Sequence, residues 1–265
     1  MNEESYLHTT VPVVNKRVHR LGLAVNYGID GKGIELALEK GLNYVFWSKF
    51  RKGDQFPVIK DALRADREGM VLHGGVPLGF TKGSVRRAAE KLLKQFDIEY
   101  IDVFQLFWLG KMSAFTESVQ QELWALKKEG LARAVGISIH DRKRAGHLVL
   151  DSPLDLFMLR YNAAHPGAEA DIFPNYAARR PATVAYTATS WRKLLKAPKG
   201  WDGQVMTAAD CYRWCLNSPH VDVVLTGPKT TEQLVENLEQ LEKGPLSSEE
   251  DAWMREFGRV VHGKR

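Results

Sequence analysis

With 265 residues, 44% of them apolar and 26% charged, the chain fits one large α/β unit better than two small domains. Its net charge of +5 is scattered, and groups such as Arg86-Arg87 and Arg142-Lys143-Arg144 read as solvated helix surface, which argues against a nucleic-acid partner and leaves anionic small molecules open. No apolar run approaches bilayer length, and Glu3 and Glu4 ahead of Tyr6 lack the charged-then-apolar layout of a secretory leader, so a cytoplasmic protein with no membrane partner is expected.

In chain order, Thr10 to Val14 and Arg17 to Leu23 alternate around Asn15-Lys16 and predict a hairpin with a two-residue turn. Arg20 to Asn26 leads into the first strand of an α/β series, and Gly31 to Lys40 forms the first helix, stopped at Gly41. Tyr44 to Trp47 is the second strand. A basic loop from Ser48 to Gly53 follows, then a helix from about Val58 to Arg67. The third strand, Met70 to His73, ends in Gly74-Gly75, and Ser84 to Phe96 carries Val85, Ala89, Leu92 and Phe96 at helical spacing. The run Tyr100 to Trp108 is nearly continuous in apolar and aromatic residues, as a strand buried on both faces of a parallel sheet reads.

Phe115, Val119, Leu123 and Leu126 mark the next helix, and further strands are expected at Ala132 to Ser138, Leu154 to Arg160, Thr183 to Thr187 and Val221 to Leu225. Ala197 to Val205 has loop composition, a helix begins near Thr207, and another runs from Thr231 to Leu241. A last amphipathic helix, Ser247 to Val260, opens with an N-cap serine and first-turn acids. Cys211 and Cys215, four apart on one helix, predict neither a disulfide nor a metal site. Eight strand-and-helix units behind a hairpin define an α/β fold, a (β/α)8 TIM barrel with the hairpin on its floor and a C-terminal helix, read as one domain over the whole chain.

In a TIM barrel the chemistry lies at the C-terminal ends of the strands. His73, two residues before Gly75, should point into the barrel as either a replacement acid or base or a core histidine. Lys49, Arg51 and Lys52 make a basic loop at the mouth, where Lys49 could supply an amine or a proton unless the loop is merely solvated. Arg160 would be costly to bury unpaired and should meet an acid or an anionic ligand, with structural pairing the first expectation. His140 and His165 read as exposed loop residues. Trp47 and Trp108 are candidates for either the pocket or helix packing.

At these positions the chain resembles the aldo-keto reductase superfamily, barrel enzymes that reduce carbonyls with NADP(H). The resemblance rests on the hairpin into Leu21-Gly22-Leu23, on Glu99-Tyr100-Ile101-Asp102-Val103-Phe104-Gln105-Leu106, and on Lys128 to Ser138. It continues in Tyr161-Asn162 and in Gly227-Pro228-Lys229-Thr230 with Gln233, Glu236 and Asn237 behind it. The resemblance implies that Lys229, Thr230, Gln233, Glu236 and Asn237 hold the adenosine 2'-phosphate end, that Tyr186 stacks on the nicotinamide, and that Ser138 bonds its carboxamide. The family's Asp, Tyr, Lys and His catalytic positions fall on Phe46, Arg51, Gly75 and Phe107, so the usual catalytic set is absent. Ile139 and Met158 replace an Asn and a Gln at the nicotinamide end.

Hydride delivery to a carbonyl builds an alkoxide that needs a proton or a fixed charge, and losing such a group commonly slows the reaction on the order of 100-fold. One reading is therefore an NADP(H)-binding oxidoreductase of non-standard mechanism, with Arg51, His73 or Lys49 as replacements. The other is a barrel that has left redox catalysis for proton-transfer or lyase chemistry, or for ligand binding as a sensor, its NADP(H) site weakened or lost. In both, the partner is a small molecule, with an aromatic or alkyl group suited to the apolar floor.

Overall fold

The computed structural model describes residues 6–48, 53–77, 81–110 and 114–263. A hairpin of β1 (His8–Val11) and β2 (Lys16–His19) precedes a closed barrel of eight parallel strands. In sequence the barrel strands are β3 (Leu21–Ala24), β4 (Tyr44–Phe46), β5 (Val71–Val76), β6 (Ile101–Leu109), β7 (Ala132–Ile139), β8 (Leu156–Arg160), β9 (Ala182–Tyr186) and β10 (Val223–Thr226). They neighbour one another in chain order, and β10 closes the ring on β3 with Val224 opposite Leu21 and Thr226 opposite Leu23. The helices are α1 (Gly31–Glu39), α2 (Gln55–Ala65), α3 (Ser84–Phe96), α4 (Glu117–Lys128), α5 (Arg142–Asp151), α6 (Ala168–Asp171), α7 (Ala208–Leu216), α8 (Thr231–Leu241) and α9 (Ser248–His262).

Strand alternation divides the core in two. Tyr44, Val71, Val103, Ala134, Leu156, Ala182 and Val223 point inward and pack on Val11, Val14 and Val18 of the hairpin, which therefore plugs the floor as expected. Leu72, Phe104, Val135, Phe157 and Val224 point outward beneath the apolar stripes of the helices, such as Val85, Ala89, Leu92 and Phe96 of α3. The floor turn differs from expectation. It spans Pro12 to Asn15, with Val11 opposite Lys16, and Val13 and Asn15 take positive φ of 69° and 54°. Strand β5 also runs on through Gly74 and Gly75 instead of ending at them, because both still pair with β6. Helix α2 begins two residues before Pro57, which sits in the first turn where its missing N–H is harmless.

A charge cluster holds the floor. Asp102 of β6 is fully buried, 2.8 Å from both the Lys16 ammonium and the Arg67 guanidinium, and it accepts a hydrogen bond from the Leu72 amide. Removing it leaves a buried lysine without its counter-charge. Asp102→Ala is expected to cost about 3–5 kcal/mol, read as a shifted denaturation midpoint with unchanged slope. Among the described residues no helix is long and apolar enough to cross a membrane.

Candidate functional site

A cavity of about 1430 Å3 opens at the C-terminal ends of the strands. Its wall runs from Phe46, Phe107, Ser138 and Met158 on one side, past Tyr186, to Lys229, Gln233, Glu236 and Asn237 on the other. The fold thus brings together all but one of the residues expected to hold a cofactor. Thr230 is the exception: its hydroxyl caps α8 by accepting from the Gln233 amide at 3.4 Å.

The floor beside Ser138 is apolar. The Phe46 and Phe107 rings meet edge to face at 5.7 Å, and Phe46 also contacts His73 at 5.0 Å. His73 itself is fully buried and does not line the cavity. Its Nδ1 lies 2.7 Å from the Tyr44 hydroxyl, and burial, offset in part by Gln105, pushes its pKa down to about 3, so the ring is neutral. Of the two readings of His73, a replacement acid or base or a core histidine, its full burial outside the cavity wall fits the core histidine. Gly75 is closed off by packing: a Cβ there would lie 2.1 Å from the Gln105 carbonyl oxygen. Lys49, Arg51 and Lys52 lie outside the described residues.

His140 corrects the sequence reading. It is half-buried, lines the cavity, and places Nε2 3.2 Å from the Tyr186 hydroxyl. The signal was available, since Ser138 faces inward and strand alternation carries the same face on to residue 140. Burial raises the Tyr186 phenol to about 12, while the nearby Arg160 charge works against the rise. Ser138 accepts the Trp108 amide at 2.7 Å through Oγ, which leaves its own O–H to donate. The two tryptophans separate: Trp108 lines the cavity, whereas Trp47 is buried against Phe56 and Phe96. His165 is half-buried, with Nδ1 3.1 Å from the Asn162 side-chain oxygen.

At the opposite end Lys229 is exposed, and its backbone N–H donates to Gln233 Oε1 at 2.9 Å. The lysine therefore stands at the N-terminus of the 11-residue α8, where charge and helix dipole both favour an anion. Glu232 in the same first turn works against them. Asn237 donates to Thr226 Oγ1 at 3.3 Å, which fixes its side chain at the cavity wall. The rim between the two ends is strained: Trp108, Thr187, Trp191 and Arg192 line the cavity with positive φ of 52°, 55°, 53° and 68°. Such conformations persist only where surrounding contacts enforce them, and they gather at functional sites. Among the described residues no group of His, Cys, Asp and Glu is placed to hold a metal ion.

The family model for the aldo/keto reductase family matches residues 58–197, more than half of the chain. The chain belongs to that family. Its likeness in structure extends further: an aldo-keto reductase from Bacillus halodurans in its holo form superposes with a TM-score of 0.78 at 20% identity, covering 94% of this chain and 95% of that one. One from Klebsiella pneumoniae, solved in complex with NADP and acetate, gives 0.76 at 20% identity over 96% and 95% of the two chains. The glycerol dehydrogenase of Gluconobacter oxydans gives 0.76 at 17% identity over 98% and 97%. At such identities the likeness establishes the fold, and function rests on the site. No curated protein matches the chain.

Proposed function

We propose that this protein binds NADP(H) along the cavity and is an oxidoreductase whose carbonyl chemistry runs by a non-standard route. The observation that carries the proposal is the continuity of one large cavity from Lys229 at the N-terminus of α8 to Tyr186 and Ser138 above the apolar floor. Lys229 and Thr230 would take the 2'-phosphate, Gln233, Glu236 and Asn237 the adenosine edge, Tyr186 the nicotinamide face and Ser138 its carboxamide. Bound NADPH supplies a hydride. The chain must then stabilise the oxygen that receives the electrons.

Phe46 and Phe107 exclude water from the floor but donate nothing. Arg51 and Lys49, in the basic loop after β4, are the cations assigned to that oxygen. An arginine there stabilises negative charge without giving up its proton, so turnover is slow by the standard of a tyrosine acid. His73, neutral and buried, takes no direct part in this assignment. Arg51→Ala is expected to lower kcat for aldehyde reduction on the order of 100-fold with little change in NADPH affinity. An unchanged kcat in both Arg51→Ala and Lys49→Ala would remove the basic loop from the mechanism.

The Phe46–Phe107 contact at 5.7 Å favours one second reading, a cofactor-loaded barrel that senses a ligand without turnover. The two readings part on one assay. NADPH consumed in step with aldehyde supports the oxidoreductase; NADPH bound but unconsumed across a panel of aldehydes and ketones supports the sensor.

A further inference from the structure

Arg160 ends β8, and the alternation of that strand fixes where it points. Leu156 and Met158 belong to the core inside the barrel, and Phe157 and Leu159 to the core beneath the helices. Arg160 therefore continues the inner face at the mouth, with Tyr186 as its register partner on β9. Its guanidinium carbon lies 5.7 Å from the centre of the Trp191 ring, and Trp191 is an exposed residue of the cavity rim.

The sequence led us to expect a structural ion pair here. Among the described residues Arg160 has neither a carboxylate nor a carbonyl on its guanidinium. That sets it apart. The other described arginines that are buried or half-buried all reach such a group, from Arg20 and Arg179 on backbone carbonyls to Arg67, Arg213 and Arg255 on carboxylates. A half-buried guanidinium keeps its planar fork of donors, which matches a carboxylate, and losing water without gaining a partner is unfavourable. The surroundings add to the positive field: Arg192 lines the cavity, Lys193 follows it, and both Arg160 and Lys193 press on His165, whose pKa burial and these cations lower to about 4.

We propose that Arg160, which is not itself part of the cavity wall but adjoins it through Trp191 and Tyr186, recognises the carboxylate of an organic anion that enters the cavity beside Trp191. This rests on the reading of the cavity as an NADP(H) site. Around the ring, Lys229 follows β10, Tyr186 ends β9, Arg160 ends β8 and Ser138 lies on β7. A dinucleotide with its phosphate end at Lys229 and its nicotinamide at Tyr186 has its diphosphate between β10 and β9. Arg160 ends the strand between those of Tyr186 and Ser138, next to the positions assigned to the nicotinamide. The Tyr186–His140 pair, with hydroxyl and imidazole 3.2 Å apart, lines the cavity beside it and offers a second polar contact.

The test uses benzoate and its neutral isostere benzamide, titrated by calorimetry into the full chain with and without NADPH. Benzoate is expected to bind at least about tenfold more tightly than benzamide, and Arg160→Met to abolish that preference while leaving NADPH affinity unchanged. Arg160→Lys, which keeps the charge and loses the fork, should retain only part of the preference. Wild-type protein that binds the two probes equally overturns the proposal without any variant. So does an Arg160→Met protein that keeps the preference, or one that loses NADPH instead, which would assign Arg160 to a cofactor phosphate. Failure of the cofactor reading shows separately, as absence of NADPH binding to the wild-type protein, while the benzoate arm still reports on Arg160.

Discussion

Gly75→Ala is expected to destabilise the protein by about 3 kcal/mol, lowering its thermal midpoint by roughly 6–12 °C. A Cβ at this position meets the Gln105 carbonyl oxygen at 2.1 Å and the carbonyl carbon at 3.0 Å, both backbone atoms of the neighbouring strand. Residue 75 pairs with residue 105 in the β5–β6 ladder, so relief requires the two strands to move apart in the middle of the barrel wall. A flexible side chain can rotate away from a clash, but a strand cannot.

The consequence reaches the chemistry. On the proposed alignment, in which Gly75 stands at the family's lysine position, that position belongs to a residue whose backbone has closed against β6. Reinstalling lysine at 75, together with Asp at 46, Tyr at 51 and His at 107, is therefore expected to give an unstable protein and no ordinary carbonyl reductase. The check is thermal denaturation of Gly75→Ala beside wild type. A midpoint within a degree or two of wild type would mean that the wall yields easily and that side chains can be placed at position 75.

Lys229→Glu is expected to weaken NADPH binding by about 100-fold and to leave NADH, which lacks the 2'-phosphate, nearly unaffected. Lys229 is exposed, so its removal carries little stability cost and the effect reads binding alone. The substitution replaces an attractive charge with a repulsive one at a helix N-terminus that already carries Glu232. Charge-assisted hydrogen bonds of this kind contribute about 1.5–3 kcal/mol, and reversal adds like-charge repulsion. Equal losses for NADPH and NADH would show that Lys229 touches some other part of the dinucleotide.

The sequence was most legible where periodicity and end signals agree. Helices α3 and α8 fall on the predicted residues, α8 because Thr230 is an N-cap and the apolar stripe is regular. Helix α5 was read only from the basic surface of Arg142-Lys143-Arg144 and was given no bounds, because Gly146 sits mid-helix. That glycine is required by packing, since a Cβ there would lie 2.2 Å from the Asp171 carbonyl oxygen. Strand β5 was cut short for the same reason at Gly74-Gly75: glycine reads as a break in one dimension and as a close approach in three.

The part of the cavity around Lys229 was legible in the sequence, where a lysine, a cap and a helix start are adjacent. The other end was not legible, for its neighbours come from different strands. His140 meets Tyr186 across 46 residues of sequence, and His73 is withdrawn from the cavity by burial that its position on the strand did not reveal. Arg160 shows the same limit, for whether an arginine has a partner is a property of the folded surroundings.

The central claim is that the cavity is a dinucleotide site reading the 2'-phosphate at Lys229. The most direct test is a fluorescence titration of the purified protein with NADPH, run beside NADH. The account predicts micromolar binding of NADPH and at least about tenfold weaker binding of NADH. Absence of binding by either nucleotide, or equal affinity for both, would contradict it.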